Sequence, residues 1–151
     1  MSDIEVREAV LTDAPEVVRL LSLLGHAMST GTAEARLAAF RESGEHVLVA
    51  TRDGSESLLG AVTLHVTPVM HRVGPIGRFT AVVVDESARG KGIGSTLIRA
   101  AEEFLRAQGC AMIEVTSNKK RTDAHAFYER LGYTATSFRF AKPVAPEGGA
   151  R

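Results

Sequence analysis

The 151-residue chain has a single cysteine, Cys110, so no disulfide bond can form within it. A lone cysteine is typical of a reducing compartment, and the simplest interpretation of Cys110 is a small apolar side chain entering a strand. No apolar run is long enough to cross a membrane. The first residues, Met1–Glu5, lack the apolar core of a signal peptide. We therefore expect a cytoplasmic protein that does not insert into membranes.

An excess of charge of either sign is also missing. The 18 Lys and Arg residues balance the 18 Asp and Glu residues, so the chain as a whole is not attracted to nucleic acid. There is no internal repeat, and a length of 151 residues with 44% hydrophobic residues is typical of one globular domain. We predict a single domain over residues 1–141 and a disordered tail over residues 142–151, which is rich in proline and glycine.

Hydrophobic periodicity predicts ten elements in the order βααβββαβαβ, a combination of helices and strands of the α/β (α+β) class. Thr12 or Asp13 is expected to cap the first helix, with Glu16 completing a capping box. Thr122 is expected to cap the last helix. The predicted strands are residues 4–7, 46–51, 58–66, 78–84, 111–116 and 133–140, and the later helices are residues 32–43, 92–108 and 123–131.

A glycine-rich segment joins the fourth strand to the third helix. Glycines at Gly90, Gly92 and Gly94 precede or open an amphipathic helix, where backbone N–H groups have no partner within the helix. Glycines let an anion approach these donors, and Arg89 and Lys91 add positive charge. The pattern predicts a phosphate site. A turn built for geometry alone and a dinucleotide-binding fingerprint, with Ser95 as its imperfect third small residue and Glu114 as its ribose acid, are the alternatives.

A second segment narrows the choice of ligand. It contains Asn118 after the fifth strand and then Phe127-Tyr128-Glu129-Arg130-Leu131-Gly132-Tyr133. Together with Arg89-x-x-Gly92-x-Gly94, it resembles the GNAT superfamily of acyl-CoA-dependent N-acetyltransferases. The two motifs span about residues 78–140, and the rest of the chain agrees with that family in its order of elements. The resemblance implies the fold of that family, a mixed, mostly antiparallel sheet flanked by helices.

The resemblance implies where coenzyme A binds. Its pyrophosphate is expected on the N–H groups from Gly90 to Ser95, and its pantetheine arm is expected to pair with the backbone of Val82–Val84 like an added strand. Asn118 is expected to hydrogen-bond the same arm. The expected coenzyme-binding residues are Val82, Val83, Val84, Arg89, Gly90, Lys91, Gly92, Ile93, Gly94, Ser95, Thr96, Asn118 and Tyr128.

The resemblance also assigns catalytic roles. It makes Tyr128 the general acid that protonates the departing thiolate, since a phenol is protonated at neutral pH. The acid that many family members carry on the fourth strand is missing, because Thr80 and Ala81 stand there. Glu114, His65, His71 and a chain of water molecules stay open as the base.

We therefore expect an enzyme that moves the acetyl group of acetyl-CoA directly to a primary amine of a small molecule, a peptide or a protein. No metal is expected, and a homodimer is compatible with the sequence. His65, His71 and Arg72 favour an acceptor that bears an acid group over a polyamine. The alternative is a non-catalytic acyl-CoA-binding module or sensor.

Overall fold

The computed structural model describes residues 3–117 and 121–145, with the side chain of Arg41 left out. These residues contain five strands and four α-helices. The strands are β1 Ile4–Glu8, β2 Glu45–Arg52, β3 Leu58–Thr67, β4 Ile76–Val84 and β5 Met112–Val115. The helices are α1 Ala14–Ser22, α2 Thr30–Ser43, α3 Ile93–Ala107 and α4 Thr122–Arg130.

One sheet with the spatial order β1-β2-β3-β4-β5 organises the chain up to Val115. The first four strands are antiparallel neighbours, whereas β5 runs parallel to β4 and is reached through α3. This confirms the predicted mixed, mostly antiparallel sheet flanked by helices. Residues from Thr116 onward form a second compact unit that contains α4. No helix in the described ranges is both long and apolar enough to span a membrane.

Helices cover both faces of the sheet. Ala61 of β3 packs in a core cluster with Val17 and Leu20 of α1. A side chain at the adjacent Gly60 would instead meet Leu97 of α3. Since neighbouring residues of a strand point to opposite faces, α1 and α3 lie on opposite sides of the sheet. The buried stripe of α3 is Ile93, Leu97, Ile98, Ala101 and Leu105.

The start of α1 differs from the prediction. The carboxylate of Asp13 does not cap the helix but forms a two-pronged ion pair with Arg7, at 2.7 and 3.0 Å, and accepts the N–H of Val10 at 2.8 Å. The carboxylate of Glu16 accepts hydrogen bonds from Arg19 and from the N–H of Leu58. Both carboxylates accept hydrogen bonds from groups other than the N–H groups at the start of α1, so the predicted capping box is wrong.

Two predictions for the C-terminal part also need correction. Thr122 is the first residue of α4 rather than its cap, and Arg121 precedes the helix without a capping side-chain hydrogen bond. Residues 133–143 have no regular structure, so the predicted strand 133–140 is not formed. A strand persists only where a neighbour completes its hydrogen bonds, and Phe138 and Phe140 are exposed instead of packed. The predicted tail partly falls on residues 146–151, outside the described residues.

We expect Asp13→Asn to lower the free energy of unfolding by about 2 kcal/mol, because it removes charge-assisted hydrogen bonds from a buried carboxylate. Arg7 holds the pKa of Asp13 below its usual value of 3.8. The stabilisation is therefore complete above pH 3.8 and is lost as the pH falls through the folded-state pKa. Urea unfolding at neutral and acidic pH measures both effects.

Asp3→Asn is the matched control, since Asp3 pairs with Arg52 at 2.6 Å on the exposed surface. We expect little change in stability there, because exposed ion pairs are screened by water. Equal losses in the two variants would show that burial of Asp13 is not the source of its effect.

Candidate active site

A β-bulge in β4 sets the geometry of the candidate site. Thr63 of β3 pairs with Ala81 and the next residue, Leu64, pairs with Phe79, so Thr80 is an extra residue in β4. The hydroxyl oxygens of Thr80 and Thr63 lie 2.6 Å apart, which fastens the bulge to β3. Strand β5 pairs with β4 only over Ile76–Phe79. Within residues 3–115, the edge of β4 beyond the bulge therefore has no neighbouring strand.

The register shows which backbone groups this edge presents. The N–H of Asp85 donates to the carbonyl of Leu59 at 2.8 Å, which makes these two residues a hydrogen-bonded pair. Hydrogen-bonded and non-hydrogen-bonded pairs alternate from there along the antiparallel ladder. Val83 exchanges its hydrogen bonds with Ala61 of β3, and its side chain is buried. The N–H and C=O groups of Val82 and Val84 point away from β3. Of the three valines expected to pair with pantetheine, the geometry favours Val82 and Val84.

The glycine-rich loop follows this edge directly. Gly90 and Gly92 have φ values of 78° and 80°, which glycine adopts without strain, and a Cβ at either residue would meet nothing within 4 Å. Gly92 is the N-cap of α3 and has no side chain to cap it. The first intrahelical bond runs from the N–H of Thr96 to Gly92 at 3.1 Å. The N–H groups of Ile93, Gly94 and Ser95 precede this bond and have no acceptor within the helix, which is the arrangement that anions bind at helix N-termini.

Two cations flank the loop. Arg89 and Lys91 are exposed, as are Gly90 and Gly92. The guanidinium of Arg89 donates from Nε to the carbonyl of Val84 at 3.3 Å. This contact keeps the charge of Arg89 next to the open edge of β4. An anion on the helix terminus would therefore also meet a positive side chain.

An ion-pair network fixes the junction between the edge and the loop. Arg19 of α1 donates to Asp85 at 2.5 Å, to Glu16 at 2.9 Å and to the carbonyl of Leu58 at 3.1 Å. Asp85 also accepts the N–H of Ser87. The sequence did not reveal the pair formed by Arg19 and Asp85, because the two residues lie 66 positions apart along the chain.

Tyr128 lies in α4, in the second compact unit. Its ring makes edge contacts with Phe127 at 5.3 Å and with Tyr133 at 6.0 Å between centroids. Burial raises the pKa of the Tyr128 phenol, and the charge of Arg121 opposes this only in part. The phenol is therefore protonated at neutral pH, as a general acid requires. Phe127 and Leu131 are half-buried.

The candidate bases fall in two places. His65 and Glu114 lie on β3 and β5 in the same row across the sheet, with Arg78 between them. His71 is exposed in the loop between β3 and β4. Thr80 is engaged by Thr63 and has no basic group. The geometry therefore favours His65 or Glu114 over His71 as the general base.

Other expected residues add less. Asn118 lies outside the described residues. Burial raises the pKa of the Cys110 thiol, which disfavours the thiolate and agrees with direct transfer. Among the described residues, no group of three or more His, Cys, Asp or Glu side chains is placed to hold a metal ion.

Comparison with known proteins decides the family. The model of the acetyltransferase (GNAT) family matches residues 17–133, which is most of the chain. The protein belongs to this family of acetyl-CoA-dependent N-acetyltransferases. The resemblance drawn from the two motifs is thereby confirmed, and nothing in the comparisons supports the non-catalytic alternative.

Two curated relatives are similar in sequence. The chain is 39% identical to the aminoalkylphosphonate N-acetyltransferase of Salmonella typhimurium over 99 residues, 66% of this chain and 63% of that protein. It is 31% identical to the glucosamine 6-phosphate N-acetyltransferase of Trypanosoma brucei brucei over 141 residues, 89% of this chain and 94% of that protein. A crystal structure of a Trypanosoma brucei acetyltransferase superposes with a TM-score of 0.81 at 28% identity, covering 94% of this chain and 100% of that one.

Proposed function

We propose that the protein transfers the acetyl group of acetyl-CoA directly to the primary amine of a small acceptor that carries a phosphonate or phosphate group. The observation that carries the transfer is the open edge of β4, which runs into the uncapped N-terminus of α3. The acceptor class is supported by the two relatives described above, an aminoalkylphosphonate N-acetyltransferase and a glucosamine 6-phosphate N-acetyltransferase, since both act on such amines. A cytoplasmic location fits the single cysteine and is part of this proposal.

In the proposed reaction, coenzyme A lies along the edge of β4. Its pyrophosphate accepts hydrogen bonds from the N–H groups of Ile93, Gly94 and Ser95, beside Arg89. Pantetheine amides pair with the outward groups of Val82 and Val84, as in strand addition. The N–H of Val82 donates to the thioester carbonyl oxygen, on which negative charge develops.

The chemistry is one substitution at the acetyl carbon. The neutral amine attacks the thioester carbonyl, a C–N bond forms and the C–S bond breaks. The sulfur leaves with the electron pair of that bond and takes a proton from the Tyr128 hydroxyl. The nitrogen gives up one proton to a base, for which Glu114 is our choice. The products are an amide and free coenzyme A.

The acceptor class is tested by thiol release from acetyl-CoA with aminoethylphosphonate, propylamine and a lysine-containing peptide. We expect aminoethylphosphonate to give the highest kcat/KM, because propylamine has the same chain without the anion. If the peptide were the best acceptor, the proposed class would be wrong although the family would stand.

Gly92→Glu is expected to abolish measurable binding of acetyl-CoA. It places a carboxylate in the open space over the helix terminus, where the pyrophosphate is expected to lie. A side chain at a positive φ also costs about 1 kcal/mol, which a folded domain tolerates. Isothermal titration calorimetry with coenzyme A measures the binding.

Two controls separate charge from strain. Gly92→Gln has the same bulk without the charge, and we expect it to bind coenzyme A more weakly than the parent but better than Gly92→Glu. Gly25→Glu has the same charge at a φ of 87° with nothing within 4 Å, and it should bind normally. Parental binding by Gly92→Glu would place the pyrophosphate elsewhere.

A further inference from the structure

A row of polar residues crosses three strands beside the bulge. His65 of β3 pairs with Arg78 of β4, and Arg78 pairs with Glu114 of β5. Residues that pair across neighbouring strands point to the same face of a sheet. A side chain at Gly77, the neighbour of Arg78, would meet Leu105 of α3. The row therefore lies on the face opposite α3.

A pocket opens over this row. Its volume is about 180 Å³, and its lining residues are His65, Thr67, Val69, Ile76, Arg78 and Glu114. That volume equals about six water molecules in the liquid. The pocket thus has room for a small molecule and little more. It is formed entirely within the first compact unit.

The lining contains both basic and acidic side chains. Arg78 offers a planar fork of N–H donors that suits a phosphonate or phosphate, and a histidine and a threonine stand beside it. The hydroxyl of Thr67 lies 3.0 Å from Nδ1 of His65, which orients the imidazole ring. Glu114 is the one acid of the lining. A molecule with an anion at one end and an amine at the other finds complementary charge at both ends.

The pocket and the open edge lie at different positions along the same strand, β4. Arg78 precedes the bulge at Thr80, and the outward N–H of Val82 follows it. Four residues of strand span about 13 Å. Arg78 and Glu114 lie in one row, so both side chains have to extend along β4 for an acceptor held by Arg78 to bring its nitrogen to Glu114 and to the thioester carbonyl.

We propose that this pocket is the acceptor site, in which Arg78 and His65 bind the phosphonate or phosphate and Glu114 receives the proton of the amine. The proposal rests on the function proposed above and adds the residues that select the acceptor. It makes Arg78 a specificity residue and Glu114 a catalytic residue. Val69 and Ile76 supply the apolar part of the lining.

The test compares two acceptors of equal chain length. We expect Arg78→Gln to raise the KM for aminoethylphosphonate roughly 10–100-fold, the loss of a charge-assisted hydrogen-bonded pair. The KM values for propylamine and for acetyl-CoA should stay unchanged. Arg106→Gln is the matched control, since Arg106 is exposed near the end of α3 and forms an ion pair with Glu103 of the same helix. It should leave all three values unchanged.

Glu114→Gln separates the two roles within the pocket. It should lower kcat about 100-fold for both amines, the size expected for a general base, and leave the KM for aminoethylphosphonate near the parental value. Circular dichroism checks that each variant is folded, and Arg78→Lys, which keeps the charge, should recover part of the loss. Parental kcat in Glu114→Gln would remove it as the base.

The outcomes distinguish this proposal from the function beneath it. If the parent protein acetylates aminoethylphosphonate but Arg78→Gln has an unchanged KM, the pocket is not the acceptor site and the function stands. If the parent acetylates propylamine as well as aminoethylphosphonate, the acceptor class falls, and Arg78 has no anion to select.

Discussion

Val82→Pro is expected to lower kcat by roughly 100–1,000-fold, the cost of removing one donor to a developing oxyanion. Proline has no N–H, and the N–H of Val82 faces the open edge of β4. The hydrogen bonds between β3 and β4 run through Ala81 and Val83 instead. The substitution therefore removes a donor that the sheet does not use. Thiol release from acetyl-CoA at saturating amine measures the change.

Val82→Ala is the control for side-chain packing. It removes two methyl groups from a half-buried position but keeps the N–H, so kcat should stay within a few-fold of the parent. Val83→Pro is the control for folding, because it breaks the β3–β4 ladder at a buried residue and should destabilise the domain. A folded Val82→Pro variant with parental kcat would show that another group polarises the thioester.

Tyr128→Phe is expected to lower kcat about 100-fold, with the affinity for acetyl-CoA nearly unchanged. The substitution keeps the ring and its edge contacts with Phe127 and Tyr133, and it removes only the hydroxyl proton. Because burial holds the pKa of this phenol above its ordinary value of 10.0, the acid stays protonated across the neutral range. Steady-state kinetics with saturating acceptor measure the effect.

Tyr133→Phe is the matched control, since Tyr133 packs on Tyr128 within the same unit. We expect its kcat to be close to the parental value. A thioester with a more acidic thiol should be less sensitive to Tyr128→Phe, because its thiolate needs less help to leave. Equal kcat values in the parent and Tyr128→Phe, with chemistry rate-limiting, would assign thiolate protonation to water.

Local patterns in the sequence were enough to place most of the secondary structure. Strands β2, β3 and β4 begin and end within two residues of the predicted bounds, since their apolar runs are interrupted by clear turn residues. The position of helix α3 could also be predicted, because its apolar stripe and the glycine at its N-terminus are both local features of the sequence. The uncapped helix N-terminus at Gly92 also follows from the sequence alone, because glycine has no side chain to cap it.

Other features depend on contacts that a local pattern does not contain. The bulge at Thr80 needs the register with Thr63, and no single-strand periodicity reveals it. The capping box failed because Glu16 reaches Leu58, which lies 42 positions along the chain. The prediction of a strand over residues 133–140 was wrong, because alternating apolar residues form a strand only where a neighbouring strand pairs with them. Arg78 was overlooked as a site residue, since its significance comes from His65 and Glu114 on the adjacent strands.

We propose that coenzyme A binds along the open edge of β4 and the N-terminus of α3. Amide chemical shifts of the ¹⁵N-labelled protein, recorded during a titration with coenzyme A, test it most directly. We expect large shifts for the outward-facing amides of Val82, Val84, Ile93, Gly94 and Ser95, with a smaller shift for Val83, whose N–H faces β3. Shifts confined to other parts of the sheet, with these amides unmoved at saturation, would contradict it.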